Sequence, residues 1–216
     1  MNSGGLRYFR ASPVYSTWSS SEEPSLLAIW GYNNIGIWNI GHCWLSPVAT
    51  TFIEQFRPDD LHAYIIVKQD KCAHDILANI VLQLLRCKPE TLTDEKRYSE
   101  LSPDMVAYQR IYNGNQSSMR TDDRTKINII ERIATRVISF FEPSDTVYII
   151  IDRVDRCSIK TLGTNHRKAL LNALEAMVKI ATCKLKVLAI TNGYDWRRDN
   201  YRDDGEIKGG GANYFP

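Results

Sequence analysis

Two acids three positions apart, Asp152 and Asp155, close the segment Val147 to Arg156 (VYIIIDRVDR) and are the residues best placed to do chemistry. Before them, Val147, Tyr148, Ile149, Ile150 and Ile151 form an unbroken β-branched and aromatic run, which suits a parallel strand covered on both faces. Such a strand delivers its last residues to the carboxyl edge of the sheet, where open α/β folds bind ligands. Asp152 is expected there as a Mg²⁺ ligand, because this small hard cation takes oxygen donors, and Asp155 is a second candidate for the same ion. The competing reading makes both acids ordinary caps of the next loop and helix.

A nucleotide site would also need a loop of backbone N–H groups around the phosphates, a lysine for their outer oxygens and a hydroxyl for Mg²⁺, giving GxxxxGK(S/T). Gly31 and Gly36 have that spacing, directly after the apolar run LLAIW, but Ile37 stands where the lysine belongs and Trp38 where the hydroxyl belongs. Charge-assisted hydrogen bonds contribute about 1.5–3 kcal/mol each, so this loop should bind a triphosphate roughly ten- to a hundredfold more weakly than an intact one. The loop should also open at once into a helix, whose N-terminus favours anions. The clear helix start is Ser46-Pro47, and moving the motif there puts Trp44 and Leu45 in the glycine and lysine places. A plain glycine turn accounts for the two glycines without any ligand.

The elements that must position these residues alternate. Leu26–Trp30 reads as a buried strand. Ser46 then starts a helix, a hydroxyl N-cap with proline at the first helical position, carrying Val48, Phe52 and Phe56 on its apolar stripe. Ala63–Val67 is a second strand, and Ala73, Ile76, Leu77, Ile80, Val81, Leu84 and Leu85 recur at helical spacing up to Lys88-Pro89. Residues 90–120 turn polar and irregular, with a short helix opening at Ser102-Pro103 and a turn at 113–115; this is expected to be the most mobile internal segment. A long helix from Thr121 faces Ile127, Ile130, Ile133, Ala134, Val137, Ile138 and Phe141 inward. After the acidic strand, a helix over 165–182 buries Leu170, Leu171, Leu174, Met177, Val178 and Ala181, and Leu185–Ile190 is a fourth strand. This order predicts βαβ units: an α/β three-layer sandwich with a mainly parallel sheet.

Composition bounds the rest. At 216 residues and 44% apolar content the chain fits one domain with a sizeable core. The expected boundaries are an N-terminal arm over 1–24, the α/β domain over 25–198 and a polar, glycine-rich tail over 199–216. A net charge of +2, with acids and bases mixed, gives no footprint for nucleic acid or an anionic membrane. Without a signal-peptide core or a run long enough to span a bilayer, a soluble cytoplasmic protein is expected. Five cysteines without a CxxC pair read as free thiols. A zinc site joining His42-Cys43 to Cys72-x-His74 would lack the paired spacing of metal modules, and buried cysteine more often serves as a small hydrophobe.

Taken together, the strand with its glycine loop, VYIIIDRVDRC and LKVLAITNGYDW resemble the P-loop core of STAND-class NTPases, and more closely the NACHT-like modules of large fungal proteins. The resemblance covers roughly Ser25 to Arg197. It implies Asp152 as the Mg²⁺ acid, and Asp155 as the first of an acidic pair supporting hydrolysis, whose second place holds Arg156. Asn192 would be the polar sensor of the γ-phosphate; the competing reading is a Thr-Asn-Gly turn, since Asn-Gly favours turns for backbone reasons alone. Arg197 would be a phosphate contact from the following loop. The lid and winged-helix regions of complete STAND proteins have no counterpart after residue 200, so the resemblance implies a truncated module, either an excised fragment or a short, reduced relative. Two functions follow: a non-hydrolysing signalling or protein-interaction module with no cofactor, or a switch binding Mg-ATP or Mg-GTP with substitute cations from Arg153, Arg156 or Lys68. Asp152 and Asp155 could also serve a phosphoryl-transfer enzyme of another α/β fold, although no nucleophile or base is identifiable. A protein partner is expected, with surface aromatics such as Tyr8, Phe9, Tyr201 and Tyr214 as interface candidates if they are not packed on the core.

Overall fold

The structure, a computed structural model, describes residues 7, 9–31, 43, 45–68, 71–114, 123–158 and 164–192, together with the main chain of 212–215. Four strands, β1 (Ser25–Gly31), β2 (Leu61–Ile66), β3 (Thr146–Asp152) and β4 (Lys184–Asn192), pair in parallel in the order β2-β3-β4-β1. Helices flank this sheet on both faces, as the alternation of elements requires. A fifth strand, β5 (Ala212–Phe215), joins β1 antiparallel and extends the sheet into the segment expected to be an irregular tail.

β3 lies between two neighbours, and its Ile149, Ile150 and Ile151 are fully buried. Burying each contributes roughly 1.5–3 kcal/mol, so the central strand is selected by burial on both faces at once. Alternate residues divide between two cores. Ile149 and Ile151 join Ala28, Val187 and Ala189 beneath helices α3 (Ala73–Cys87), α6 (Asp123–Ile138) and α7 (His166–Ile180). Ile150 joins Leu27, Ile29, Leu188 and Ile190 beneath α1 (Pro13–Ser20) and α2 (Ser46–Gln55).

Described residues of the segment read as an arm pack on this second core. Ser12 accepts a hydrogen bond from Tyr15 N (3.2 Å), Pro13 occupies the first turn of α1, and Trp18 is buried edge-on against Phe52, with ring centroids 5.9 Å apart. Phe9 packs beside this core, its ring 5.0 Å from that of Tyr15.

Residues 90–114 are also more regular than their polarity suggests. A single turn, α4 (Glu90–Thr93), precedes α5 (Glu95–Gly114), twenty residues with Pro103 inside. Leu101 is fully buried, Met105, Tyr108 and Ile111 follow it at helical spacing onto the main core, and Asp104 pairs with Arg132 of α6 at 2.6 Å. Tertiary packing on one narrow stripe outweighs the missing proline N–H. The rest of the expected turn, at Asn115, lies outside the described residues.

Connections determine where a ligand can sit. From β1 the chain crosses to β2 through α2 on one face, and it returns through β3 to β4 by α3–α7 on the other. Reversing direction and face together preserves one hand of crossover. A crevice at the carboxyl ends of such strands is where ligands of open α/β sheets bind.

Candidate functional site

Gly31 at the end of β1 is level with Asn192 at the end of β4, and Asp152 at the end of β3 is level with Ile190. Sheet register therefore brings Gly31, Asp152 and Asn192 to one edge. Asp152 is 2% exposed, and burial pushes its carboxyl above its ordinary value, opposed chiefly by one hydrogen bond. That bond comes from Ser46, whose Oγ donates to Asp152 Oδ1 at 3.0 Å.

Ser46 changes how the loop is read. Expected as a hydroxyl N-cap, it instead lies inside α2; Leu45 is the cap residue and no side chain caps this helix. The Ser46 hydroxyl is turned to the sheet edge. In the register that ends at Ser46, the lysine place belongs to Leu45, which is 3% exposed in the core beneath α1 and α2. The loop register ending at Trp38 falls, with Gly36 and Trp44, outside the described residues. So does Arg197.

Asp155 occupies a different setting. The chain turns sharply after Asp152: Arg153 has φ 66°, the one positive φ of a non-glycine residue among those described, and a 3₁₀ turn spans Val154–Arg156. This left-handed residue folds its guanidinium onto Asp155, with Arg153 Nε 3.1 and 3.0 Å from the two carboxylate oxygens and the terminal nitrogen 2.7 Å from Oδ2. The main-chain N–H of Asn192 donates to Asp155 Oδ1 at 2.7 Å. Arg167 of α7 adds hydrogen bonds to the carbonyls of Asp155 and Cys157. Asp155 is 1% exposed, and its carboxylate ties β3 to β4. Sequence reasoning placed both acids at the edge but not this division of labour, nor Ser46 as the partner of Asp152. The Ser-Pro dipeptide was legible only as a helix start.

Of the substitute cations considered, Arg153 is committed to Asp155, Arg156 is half-buried, and Lys68 is exposed just beyond β2. Cys43 is buried on the face of α2, whereas Cys72 and His74 lie at the start of α3 on the opposite face. Among the described residues, the groups able to hold a metal combine Cys72 with His74 and Asp75, and Cys72 with Asp123 and His166; neither includes Cys43. No described helix is long and apolar enough to cross a membrane. Compared with protein-family models, curated proteins and solved structures, the chain finds no match.

Proposed function

We propose that this is a P-loop-like α/β module of the NACHT-like STAND kind whose nucleotide site has degenerated, and that it works as a signalling or protein-interaction module without hydrolysis. One observation carries the reading: in the register that ends at Ser46, the place of the phosphate-binding lysine falls on Leu45, which is 3% exposed in the core, so no ammonium can reach a phosphate from there. The second acid supports it, since Asp155 is enclosed by Arg153 and the Asn192 N–H, and a carboxylate so occupied is not disposed to orient a water.

A second reading, a Mg²⁺-nucleotide switch, is favoured by the Ser46–Asp152 contact. A P-loop hydroxyl and the acid after the third strand are the protein oxygens that hold Mg²⁺ on β- and γ-phosphates. Ser46 and Asp152 fit the metal, while Leu45 does not fit the phosphates. Bound there, Mg²⁺ would supply charge neutralisation at the phosphate oxygens.

Calorimetric titration with ATP and with GTP, each with Mg²⁺ and with Asp152→Ala as control, separates the two. Absence of heat up to millimolar nucleotide is expected. Micromolar binding weakened by the substitution would establish the switch instead, and Mg²⁺-dependent hydrolysis abolished by Asp152→Ala would overturn the non-hydrolysing module outright.

A further inference from the structure

On the face opposite α2, the N-termini of three helices deliver ligand-type side chains to one place. Cys72 precedes α3 and His74 lies in its first turn; Asp123 begins α6 and His166 begins α7. His74 and Asp123 are buried, His166 is fully so, and Cys72 is half-buried. His166 Nε2 is 3.4 Å from Asp123 Oδ2, and His74 Nε2 is 3.7 Å from Asp123 Oδ1. Two trios share Cys72, whose Sγ lies within 4.8 Å of a His74 ring nitrogen and an Asp75 oxygen in one, and of an Asp123 oxygen and a His166 ring nitrogen in the other; the His74–Asp123 approach joins them.

We propose that Cys72, His74, Asp123 and His166 form a tetrahedral zinc site. Zinc bonds of about 2.0–2.1 Å to nitrogen and oxygen and 2.3 Å to sulfur set ligand-to-ligand edges of roughly 3.3–3.6 Å, which the histidine–aspartate separations already approach. A thiolate, two imidazoles and a carboxylate are the mixed donor set zinc accepts, whereas Mg²⁺ and Ca²⁺ prefer oxygen alone.

Three further observations point to an ion. His166 Nε2 is a fully buried nitrogen without a hydrogen-bond partner, its approach to Asp123 being poorly aligned, and a metal would satisfy it. His74 Nδ1 is 3.4 Å from Asp75 Oδ1 and 3.3 Å from the Tyr108 hydroxyl, and in the tautomer that donates from Nδ1 to Asp75 the Nε2 lone pair is left for a metal. Charge also closes. Lys126 Nζ, 3.7 Å from Asp123 Oδ1, is one ammonium against the carboxylates of Asp75 and Asp123, and a divalent ion with the Cys72 thiolate brings that anionic cluster to neutrality. Zinc uptake releases the thiol proton of Cys72 to solvent. It also moves the His166 proton to Nδ1, which ends the long 3.4 Å contact donated by Ala73 N.

The test is titration of the whole, chelator-treated chain with Co²⁺ as a spectroscopic probe, followed by displacement with Zn²⁺. One ion per chain with a tetrahedral cobalt spectrum and a thiolate-to-cobalt band is expected. Cys72→Ser should abolish the band, and Cys157→Ser should leave it. His166→Gln should weaken binding at least tenfold, and Asp75→Asn by about 10–100-fold, the usual effect of losing an outer-shell carboxylate. Should Cys72→Ser not fold, alkylation of the unmodified chain reads the same point: Zn²⁺ must protect Cys72 while leaving Cys87 reactive. A missing cobalt spectrum, a band that survives Cys72→Ser, or equal alkylation of Cys72 with and without Zn²⁺ would overturn the proposal. Nucleotide binding has no part in these readouts.

Discussion

Ser46 and Asp152, 106 positions apart, are joined at the carboxyl edge of the sheet by a 3.0 Å hydrogen bond from hydroxyl to carboxylate. Burial favours the protonated acid, and this bond offsets only part of that effect. The folded chain therefore keeps a proton on Asp152 above the ordinary value of 3.8, where the unfolded chain has released it. With more protons bound in the folded state, stability falls as pH rises from about 4 through the raised folded value. Asp152→Asn retains an acceptor for Ser46 and removes the buried charge. It should equal or exceed the parent in stability at neutral pH, with the advantage vanishing on acidification below the ordinary carboxylate range. Urea denaturation at pH 4 and pH 7 checks this, and a variant less stable than the parent at pH 7 would contradict it.

Arg153 and Asp155 should behave in the opposite way. Their side chains are 7% and 0% exposed, and the carboxylate also receives the Asn192 N–H. Removing one partner leaves a buried charge uncompensated, which costs about 3–5 kcal/mol. Arg153→Ala should therefore destabilise by that amount, because alanine keeps the Cβ and with it the left-handed backbone that costs a non-glycine residue about 1–2 kcal/mol. The double variant Arg153→Met/Asp155→Leu should lose less than the sum of the singles Arg153→Met and Asp155→Leu. Chemical denaturation of all four proteins measures the coupling, and strict additivity would remove the pair from the account of this turn.

The three Ser-Pro dipeptides show what was legible in the sequence and what was not. Ser46-Pro47 and Ser102-Pro103 read as helix starts, whereas Ser12-Pro13 falls in the segment read as an arm. At Ser12 the hydroxyl nevertheless caps a helix, α1. Ser46 also stands at a helix start, but its hydroxyl serves Asp152, a partner no local pattern reveals. Ser102-Pro103 lies in the middle of α5, where Leu101 and Tyr108 pack on the core from a stripe too narrow to stand out in a polar segment. β1, β3 and β4 were legible because burial on two faces demands continuous apolar runs, and Asp152 was legible because it ends one of them; β2 was legible from its AYIIV run although it lies at the edge with Tyr64 and Ile66 exposed. β5 was not, since its glycine-rich approach carries no such run. His74, Asp123 and His166 could not be grouped because each comes from a different helix, and only the packing of α3, α6 and α7 brings them together.

Burial orders the reactivity of the cysteines. It pushes the Cys157 thiol up to about 12 and Cys183 up to about 11, and it raises Cys43 as well. Cys72 and Cys87 are only half-buried. Metal-free native protein treated with a small alkylating reagent near pH 8 should thus be modified at Cys72 and Cys87, with the other three protected until unfolding. Peptide mass mapping after short exposure reads this directly. Early modification of Cys157 or Cys183 would show that the core beneath α3, α6 and α7 opens more readily than its packing implies.

Gln83 bears on self-association through its hold on β2, an edge strand of the sheet. From α3 its side-chain oxygen accepts from Tyr64 N at 3.0 Å, and its nitrogen donates to Tyr64 O at 2.8 Å, while Cys87 Sγ reaches His62 O at 3.4 Å. One amide thus occupies the pair of main-chain groups that a neighbouring strand would use, and the exposed Tyr64 and Ile66 would otherwise reinforce such pairing. Gln83→Leu keeps the bulk at that position and frees both groups. The loss of two partly exposed hydrogen bonds should lower stability by about 1–3 kcal/mol. The larger effect should be concentration-dependent association through β2, visible as a shift to dimers and higher species in size-exclusion chromatography with light scattering. Adding a Tyr64→Lys charge to that variant should restore the original elution, because a lysine on an edge strand opposes pairing. If Gln83→Leu elutes as the parent does over a wide concentration range, then the covering of β2 does not depend on this amide.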